Sequence, residues 1–451
     1  MARQTARVKN QSKEKRAGIL SFSVCGYKSV CSEQHIEVRP LTVLAGANSS
    51  GKSSMLQPLL LLKQTLEAPF DPGALLLDGP NVRLTSAEQL ICKMGGPCTD
   101  GFHVNFSLND KSALKMTFAR LPGVGMAIDS MVYSEGHRET RIHPNMTSEE
   151  IQAAMPKHLQ SLRDQLLARE KKEMDWVVVR DRCFLYFDLK LSGGRKTAYL
   201  LGGVSPAPLV GSHLQRMIHL PGLRGNPART YSATAVSETF PGTFESYVAS
   251  VVNHWQATKD DRLKQLGKDL ETLGLTWKVD ARPVDDTRVE LRVGRLPHSK
   301  RGGAHDLVSI ADVGFGVSQT LPVLVALRVA EPGQIVYLEQ PEIHLHPRAQ
   351  RKLAYVLADA AKRGVVVIVE THSSLLLRGI QTLVATRGGL PPSLVKLHWF
   401  ERDAETGATV VTSADLDEQG AFGTWPEDFD EVSLAAEKEY LDAVERWGEG
   451  S

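Results

Sequence analysis

The apolar positions in the last third of the chain come in unbroken runs: QIVYLE at residues 334–339 and VVVIVETHS at 365–373. Such runs, flanked by helical stretches, mark strands covered on both faces and hence a parallel sheet. The flanking stretches, SQTLPVLVALRVA and RAQRKLAYVLADAAKRG, have helical spacing. Near the start, ILSFSVCGYKSV, HIEV and LTVLAG read as strands. The last breaks at glycine and passes into KSSMLQPLLLLKQTLEA, a helix that Pro58 kinks or starts irregularly. Strand, glycine turn, helix opens an α/β fold.

The middle alternates instead. FHVNFSL and ALKMTFARL have the two-residue period of antiparallel strands. Ile151, Met155, Leu159, Leu162 and Leu166 predict a helix over residues 148–175, too short for a coiled-coil arm. VVVRDRCFLYFDLKL returns to strand, FESYVASVVNHWQ to helix and TRVELRV to strand. After residue 395, LVKLHWFERD and TGATVVTSADLD predict a small antiparallel cap before an acidic tail.

With 451 residues the chain exceeds a single typical domain. Its 42% hydrophobic and 23% charged content is that of an ordinary globular protein. A net charge of +1 gives no global pull toward nucleic acid or membrane. Six cations against Glu14 make residues 1–17 a basic, solvated tail with no apolar signal core behind it. No apolar run approaches the ~18 residues of a membrane span. Five cysteines at spacings unlike zinc ribbons predict buried or free thiols in a reducing cytoplasm.

GANSSGKS, residues 46–53, fits G-x-x-x-x-G-K-[ST] between a strand and a helix. In such a loop the backbone N–H groups and the helix N-terminus cradle phosphates. Gly46, Asn48, Ser49, Ser50, Gly51 and Ser54 are the cradle, Lys52 reaches the β/γ-phosphates, and Ser53 ligates Mg2+. LEQPEIHLHP, residues 338–347, poses a choice between a His-x-His metal site and the acidic end of a nucleotide-binding strand. Glu339 ends an apolar strand, where α/β sheets bind ligands, and this favours the second. A His-x-His site needs further ligands, for which no signature appears.

These motifs resemble ABC-type ATPases of the SMC/RecF/OLD branch. LEQPEIHLHP is similar to their Walker B region, VVVIVETHSS to their switch-histidine strand, and ADVGFGVSQTLPVL to a diverged signature. The set is similar to a bacterial AAA/ABC-like family with a C-terminal domain of unknown function, which LPGLRGNPARTY and the tail also resemble. The resemblance covers roughly residues 18–70 and 215–435. It implies an α/β P-loop NTPase: an ABC-type head with a mixed or parallel core sheet, N-terminal antiparallel strands and an inserted α+β middle region. The implied layout is a disordered tail (1–17), an N-terminal lobe (18–75), an insertion with a helical subdomain (76–300), a C-terminal lobe (301–395) and a cap with acidic tail (396–451).

The resemblance also implies roles. Glu339 orders Mg2+. Gln340 stands where most such ATPases keep a catalytic glutamate, and Glu342 is a substitute base. His346 occupies the D-loop, and His372 contacts the γ-phosphate. Gly314, Gly316 and Ser318 face a nucleotide bound by a second subunit, so a homodimer sandwiching ATP is implied. Gln89 is the Q-loop candidate. Arg224 and Arg229 read either as phosphate or DNA contacts or as an exposed charged loop. Asp415 and Asp417 read as a hairpin tip better than as a nuclease D-x-D. The implied function is an ATP-driven switch in bacterial anti-phage defence, working with a separate nuclease or toxin. The competing reading is a RecF/SMC-like repair ATPase that binds DNA directly, against which the near-zero net charge counts. A membrane transporter subunit ranks last, because Lys52 and Gly316 lie too far apart for so compact a protein.

Overall fold

The computed structural model describes residues 18–95, 97, 100–109, 112–123, 125–155, 173–192, 198–199, 207–298, 303, 305–423, 438, 439 and 441. The expected tail 1–17, residues 156–172 of the expected helix and most of the acidic stretch after 423 lie outside them.

In chain order the described strands are β1 (Ser21–Cys25), β2 (Gln34–Glu37), β3 (Leu41–Gly46), β4 (Gly101–Asn109), β5 (Ser112–Leu121), β6 (Gly125–Glu135), β7 (Arg138–Ile142), β8 (Glu173–Asp181), β9 (Phe184–Ser192), β10 (Ala198–Tyr199), β11 (Ile218–Leu220), β12 (Tyr231–Ser232), β13 (Val279–Asp285), β14 (Arg288–Gly294), β15 (Leu307–Ser309), β16 (Ile335–Glu339), β17 (Val366–Thr371), β18 (Val395–Arg402) and β19 (Thr409–Ala414). The helices are α1 (Lys52–Glu67), α2 (Ser148–Ala154), α3 (Ala207–Arg216), α4 (Val248–Thr258), α5 (Asp261–Leu273), α6 (Phe315–Val329), α7 (Pro347–Lys362) and α8 (Ser374–Ala385). They fall into two units, one of residues 1–38, 57–217 and 331–335, the other of 39–56, 218–330 and 336–451.

The first unit holds a six-stranded antiparallel sheet in the order β2-β1-β4-β5-β6-β7 and a smaller sheet β10-β9-β8. Alternating burial along β5 shows why its sequence alternates: one face packs, the other does not. Tyr27, Phe102 and Phe118 form a chain of ring contacts with centroids 5.3 and 5.2 Å apart. Strand β8 begins at Glu173, inside the stretch expected to be helical to Asp175. The β-branched run that follows, Val177–Val179, carries that end into the sheet. The cysteine expectation also needs correcting. Cys31 and Cys92 form a disulfide with Cα atoms 5.5 Å apart. Backbone bonds from Lys28 N–H to the Leu90 carbonyl and from Cys92 N–H to the Gly26 carbonyl bring the two loops together. Cys25 and Cys183 are buried thiols.

The second unit is built on a six-stranded sheet in the order β11-β16-β17-β3-β18-β19. Strand β3 is flanked by β17 and β18, both parallel to it. Strand β3 is buried throughout, and β16 and β17, buried at all but one residue each, are the unbroken apolar stretches of the sequence. The stretch after residue 395, expected as a separate antiparallel cap, instead continues this sheet: β18 lies beside β3, with β19 antiparallel on its outer edge. A second sheet, β12-β14-β13 with β15 on β14, accompanies it. Helix α6 is buried nearly throughout, Pro322 included.

One ion-pair network ties three helices of this unit. Arg328 of α6 donates through Nε and Nη2 to Asp269 of α5, both at 2.6 Å, and through Nη1 to Asp359 of α7 at 2.9 Å. Arg328 and Asp269 are close to fully buried. Removing one partner of a buried pair strands the other charge, a loss of about 3 kcal/mol. Arg328→Ala should therefore lower the urea midpoint of unfolding by that equivalent. An unchanged midpoint would show that the network adds nothing.

Candidate functional site

The loop 46–53 connects β3 to α1, and two of its glycines are required by contact. Gly46 has φ +140°, and a Cβ there would come within 2.2 Å of the Phe400 carbonyl oxygen. Gly51 has φ +103°, and a Cβ there would stand 2.0 Å from Thr409 Oγ1. Ser49 adopts a left-handed φ of +62° without being glycine. Lys52 turns back into the loop, its Nζ donating to the carbonyls of Gly46 (3.0 Å) and Ala47 (2.7 Å) and to Ser50 Oγ (3.3 Å). Burial lowers its pKa to about 8, against the opposing pull of Glu370 and Glu342.

A pocket of about 310 Å³ opens over this loop. It is lined by Asn48, Ser49, Ser50, Gly51, Lys52, Ser53 and Ser54, facing Gln340, Glu370, His372 and Arg402. The backbone aligns these parts: Gln340 N–H donates to the Glu370 carbonyl at 2.9 Å, so the ends of β16 and β17 stand level. Gln340 itself is left-handed, with φ +42°. Burial and Lys52 push the His372 pKa down, opposed by a hydrogen bond to the Gly46 backbone.

Of three carboxylates near the ends of β16 and β17, Glu370 lines the pocket while Glu339 and Glu342 do not, and each has a different setting. Ser53 Oγ donates to Glu370 Oε2 at 3.0 Å, and the Tyr337 hydroxyl donates to the other oxygen. Burial, reinforced by Glu339, raises the Glu370 pKa to about 7. Glu339 lies 3.1 Å from His219 Nε2 and accepts Gly222 N–H at 3.1 Å. Burial pushes Glu339 upward, but the bonds from His219, Gly222 and Tyr337 outweigh it and hold its pKa below the usual value. Glu342 accepts Thr371 Oγ1 at 2.6 Å and His372 N–H at 3.1 Å through one oxygen. Its other oxygen is buried without a partner among the described residues, and burial raises its pKa.

Gly314, Gly316, Ser318 and His346 do not line this pocket. Gly314 caps α6 with no side-chain bond to its free N–H groups, and Ser318 Oγ donates to the Phe315 carbonyl at 3.4 Å. A Cβ on Gly316 would stand 3.5 Å from the His344 carbonyl oxygen. His346 caps α7, its Nδ1 accepting Arg348 N–H at 3.3 Å. Gln89 belongs to the first unit, where it accepts Thr85 N–H at 2.9 Å. Arg224 is no exposed loop residue: it donates to the Gln319 carbonyl at 3.0 Å and to the Glu339 carbonyl at 3.1 Å, joining the start of α6 to the end of β16. Arg229 is exposed and pairs with Asp312 at 2.8 Å. His344 stacks on Phe315, and no group of three or more His, Cys, Asp or Glu side chains is arranged to hold a metal among the described residues. Asp415 pairs with Arg39 and Lys396, while Asp417 accepts two N–H groups of its own turn.

Sequence reasoning passed over two pocket residues. Glu370 carried the same signal as Glu339, a carboxylate at the carboxyl end of a buried strand. Arg402, whose Nε donates to the Ser49 carbonyl at 2.6 Å, carried none, because its place depends on β18 lying beside β3.

Residues 256–378 match the family described as AAA domain, putative AbiEii toxin, type IV TA system. The matched segment runs from α4 into α8 and includes Gly314 to Ser318, Glu339 and His372. No curated protein matches the chain. Among solved structures, an Smc head bound to the C-terminal winged-helix domain of ScpA matches at 13% identity and TM-score 0.48, covering 88% of this chain and 98% of that one. The SMC head domain of Thermotoga maritima matches at 11% and 0.39, covering 88% and 98%. An Smc head with an extended coiled coil, bound to the C-terminal domain of ScpA and derived from Pyrococcus furiosus, matches at 11% and 0.40, covering 95% and 99%. Residues 256–378 are thus similar to an AAA domain, in a chain whose loop 46–53 follows the carboxyl end of β3 with a P-loop sequence.

Proposed function

We propose that the protein binds ATP with Mg2+ over residues 46–53, hydrolyses it slowly, and works as a dimerising switch beside a separate nuclease or toxin. The observation that carries this reading is the pocket itself, which gathers Lys52, Ser53, Gln340 and His372 from separate segments. The donor set suits Mg2+, since a hydroxyl and strand-end carboxylates leave room for phosphate and water ligands. When bound, Mg2+ would neutralise charge on the β- and γ-phosphates. Lys52, bound only to neutral oxygens of its own loop, is placed to exchange them for phosphate oxygens. Gln340 orients water but cannot accept its proton. Glu342, anchored on Thr371 and the His372 backbone, holds the His372 turn in place.

Support for dimerisation comes from the surface around α6. The uncapped N-terminus at Gly314 offers N–H groups to an anion. Phe315, Ile343 and Leu223 are exposed at 53%, 49% and 90%, an apolar set suited to burial against a second copy. The toxin–antitoxin description of the matched AAA family favours a defence setting, with the effector on another chain.

The DNA-binding alternative has one observation in its favour. Arg348, Arg351, Lys352 and Tyr355 share one face of α7, beside an open groove of about 600 Å³. Phosphate contacts there would make duplex affinity fall steeply with salt. The switch reading expects weak binding with a shallow slope, read by fluorescence anisotropy across a salt series.

Lys52→Ala should abolish ATP binding in calorimetry, since it removes the cation placed on the phosphates. Unchanged affinity would remove the nucleotide-site reading.

Wild-type turnover should lie at or below the ~1 s⁻¹ low end of enzyme rates, for want of a strong base at position 340. Gln340→Glu should raise it and shorten the dimeric state, measured by steady-state ATPase with light scattering in parallel. A fast wild type that is indifferent to position 340 and dead as Glu342→Ala would make Glu342 the base.

A further inference from the structure

We propose that Glu370, rather than Glu339, is the carboxylate that holds Mg2+ together with Ser53. This rests on the ATP–Mg2+ reading above and deepens it. Ser53 is the hydroxyl the loop offers to the metal, and the carboxylate in contact with it is Glu370, at 3.0 Å. Two neighbouring ligands of octahedral Mg2+, each ~2.1 Å from the ion, stand about 3.0 Å apart. The two oxygens already have that spacing.

The partners of each acid point the same way. Glu370 is buried, yet the side chains that donate hydrogen bonds to its two oxygens are neutral hydroxyls, those of Ser53 and Tyr337. A buried carboxylate without a cation is expensive, and a divalent ion at the Ser53 side would supply the missing charge. Lys52 acts on Glu370 only through space, because its hydrogen bonds go to Gly46, Ala47 and Ser50. Glu339, in contrast, has both oxygens engaged by His219 and the Gly222 N–H, and Glu339 does not line the pocket. Its neighbours make it a positioning residue. It accepts the Gly222 N–H, and two residues on Arg224 reaches the Gln319 carbonyl of α6.

The assignment departs from the Walker B expectation by moving the metal contact one strand over, from the end of β16 to the end of β17. The moved acid lies in β17 two residues before His372, and both line the pocket. Glu370 and His372 would therefore respond together to whatever occupies the pocket.

The test uses Mn2+ as a probe, read by electron paramagnetic resonance on the full chain with saturating ADP. Wild type, Glu370→Gln, Glu370→Asp and Glu339→Gln are compared, with ADP affinity in EDTA measured on each. Glu370→Gln should weaken Mn2+ at least 10-fold while metal-free ADP affinity stays unchanged. Glu370→Asp, which keeps the charge but shortens the reach, should show a smaller loss, and it decides the matter if Glu370→Gln does not fold. Glu339→Gln should lose less than Glu370→Gln. Equal Mn2+ affinity in wild type and both Glu370 variants, or a larger loss in Glu339→Gln, would overturn the assignment while leaving the nucleotide site standing. A wild type that binds neither ADP nor Mn2+ would overturn both.

Discussion

The second unit is organised around a cost: carboxylates withdrawn from water near the carboxyl ends of β16 and β17, with no lysine or arginine side chain hydrogen-bonded to them among the described residues. Glu342 and Glu370 are buried, Glu339 is half-buried, and each is held by a different device. Glu339 uses a histidine and a backbone N–H, Glu342 a threonine and the His372 backbone, Glu370 two hydroxyls. Arg224 stays nearby but bonds to carbonyl oxygens instead. Such an arrangement persists only if the surrounding sheet is rigid enough to hold it, which explains the unbroken apolar burial of β3, β16 and β17. Pushing the pKa values of Glu339 and Glu370 in opposite directions is the usual mark of a site rather than of a core.

The same site concentrates backbone conformations that side chains avoid. Gly46 and Gly51 are crowded by Phe400 and Thr409, so neither could carry even a methyl group. Ser49 and Gln340 take left-handed φ values that glycine would adopt without penalty. Each non-glycine residue there costs on the order of 1 kcal/mol, so its side chain matters more than the local ease of folding. Gln340 is the clearer case, since it also precedes Pro341, which narrows its backbone choices further.

The α/β class and the phosphate loop were legible in the sequence for a physical reason. Doubly covered strands must be apolar along their whole length, and a loop that wraps phosphate must place glycines at set positions. Both constraints are local. What was not legible depended on partners distant in sequence. The alternation of LVKLHWFERD suits an edge pair as well as a strand with one neighbour on each side, so β18 read as a cap. Arg224 stayed open between a phosphate or DNA contact and an exposed loop, because nothing near it in sequence reveals the two carbonyls it bonds. Cys31 and Cys92 gave no zinc spacing, and their meeting rests on backbone pairing between loops, the two cysteines being 61 residues apart. Glu370 was visible and passed over, since the neighbouring His372 drew the attention.

Strand β3 meets Val367 on one side and Val395 on the other. A chain emerging from the ribosome therefore makes β3 before either of these partners and completes its pairing only when β17 and β18 have appeared. Until then an apolar strand has two open edges, the situation in which strands aggregate or recruit chaperones. Contacts so distant in sequence also slow the closing step of folding. The loop at residues 46–53 is thus made before the strands that complete its sheet, and its shape waits on their arrival.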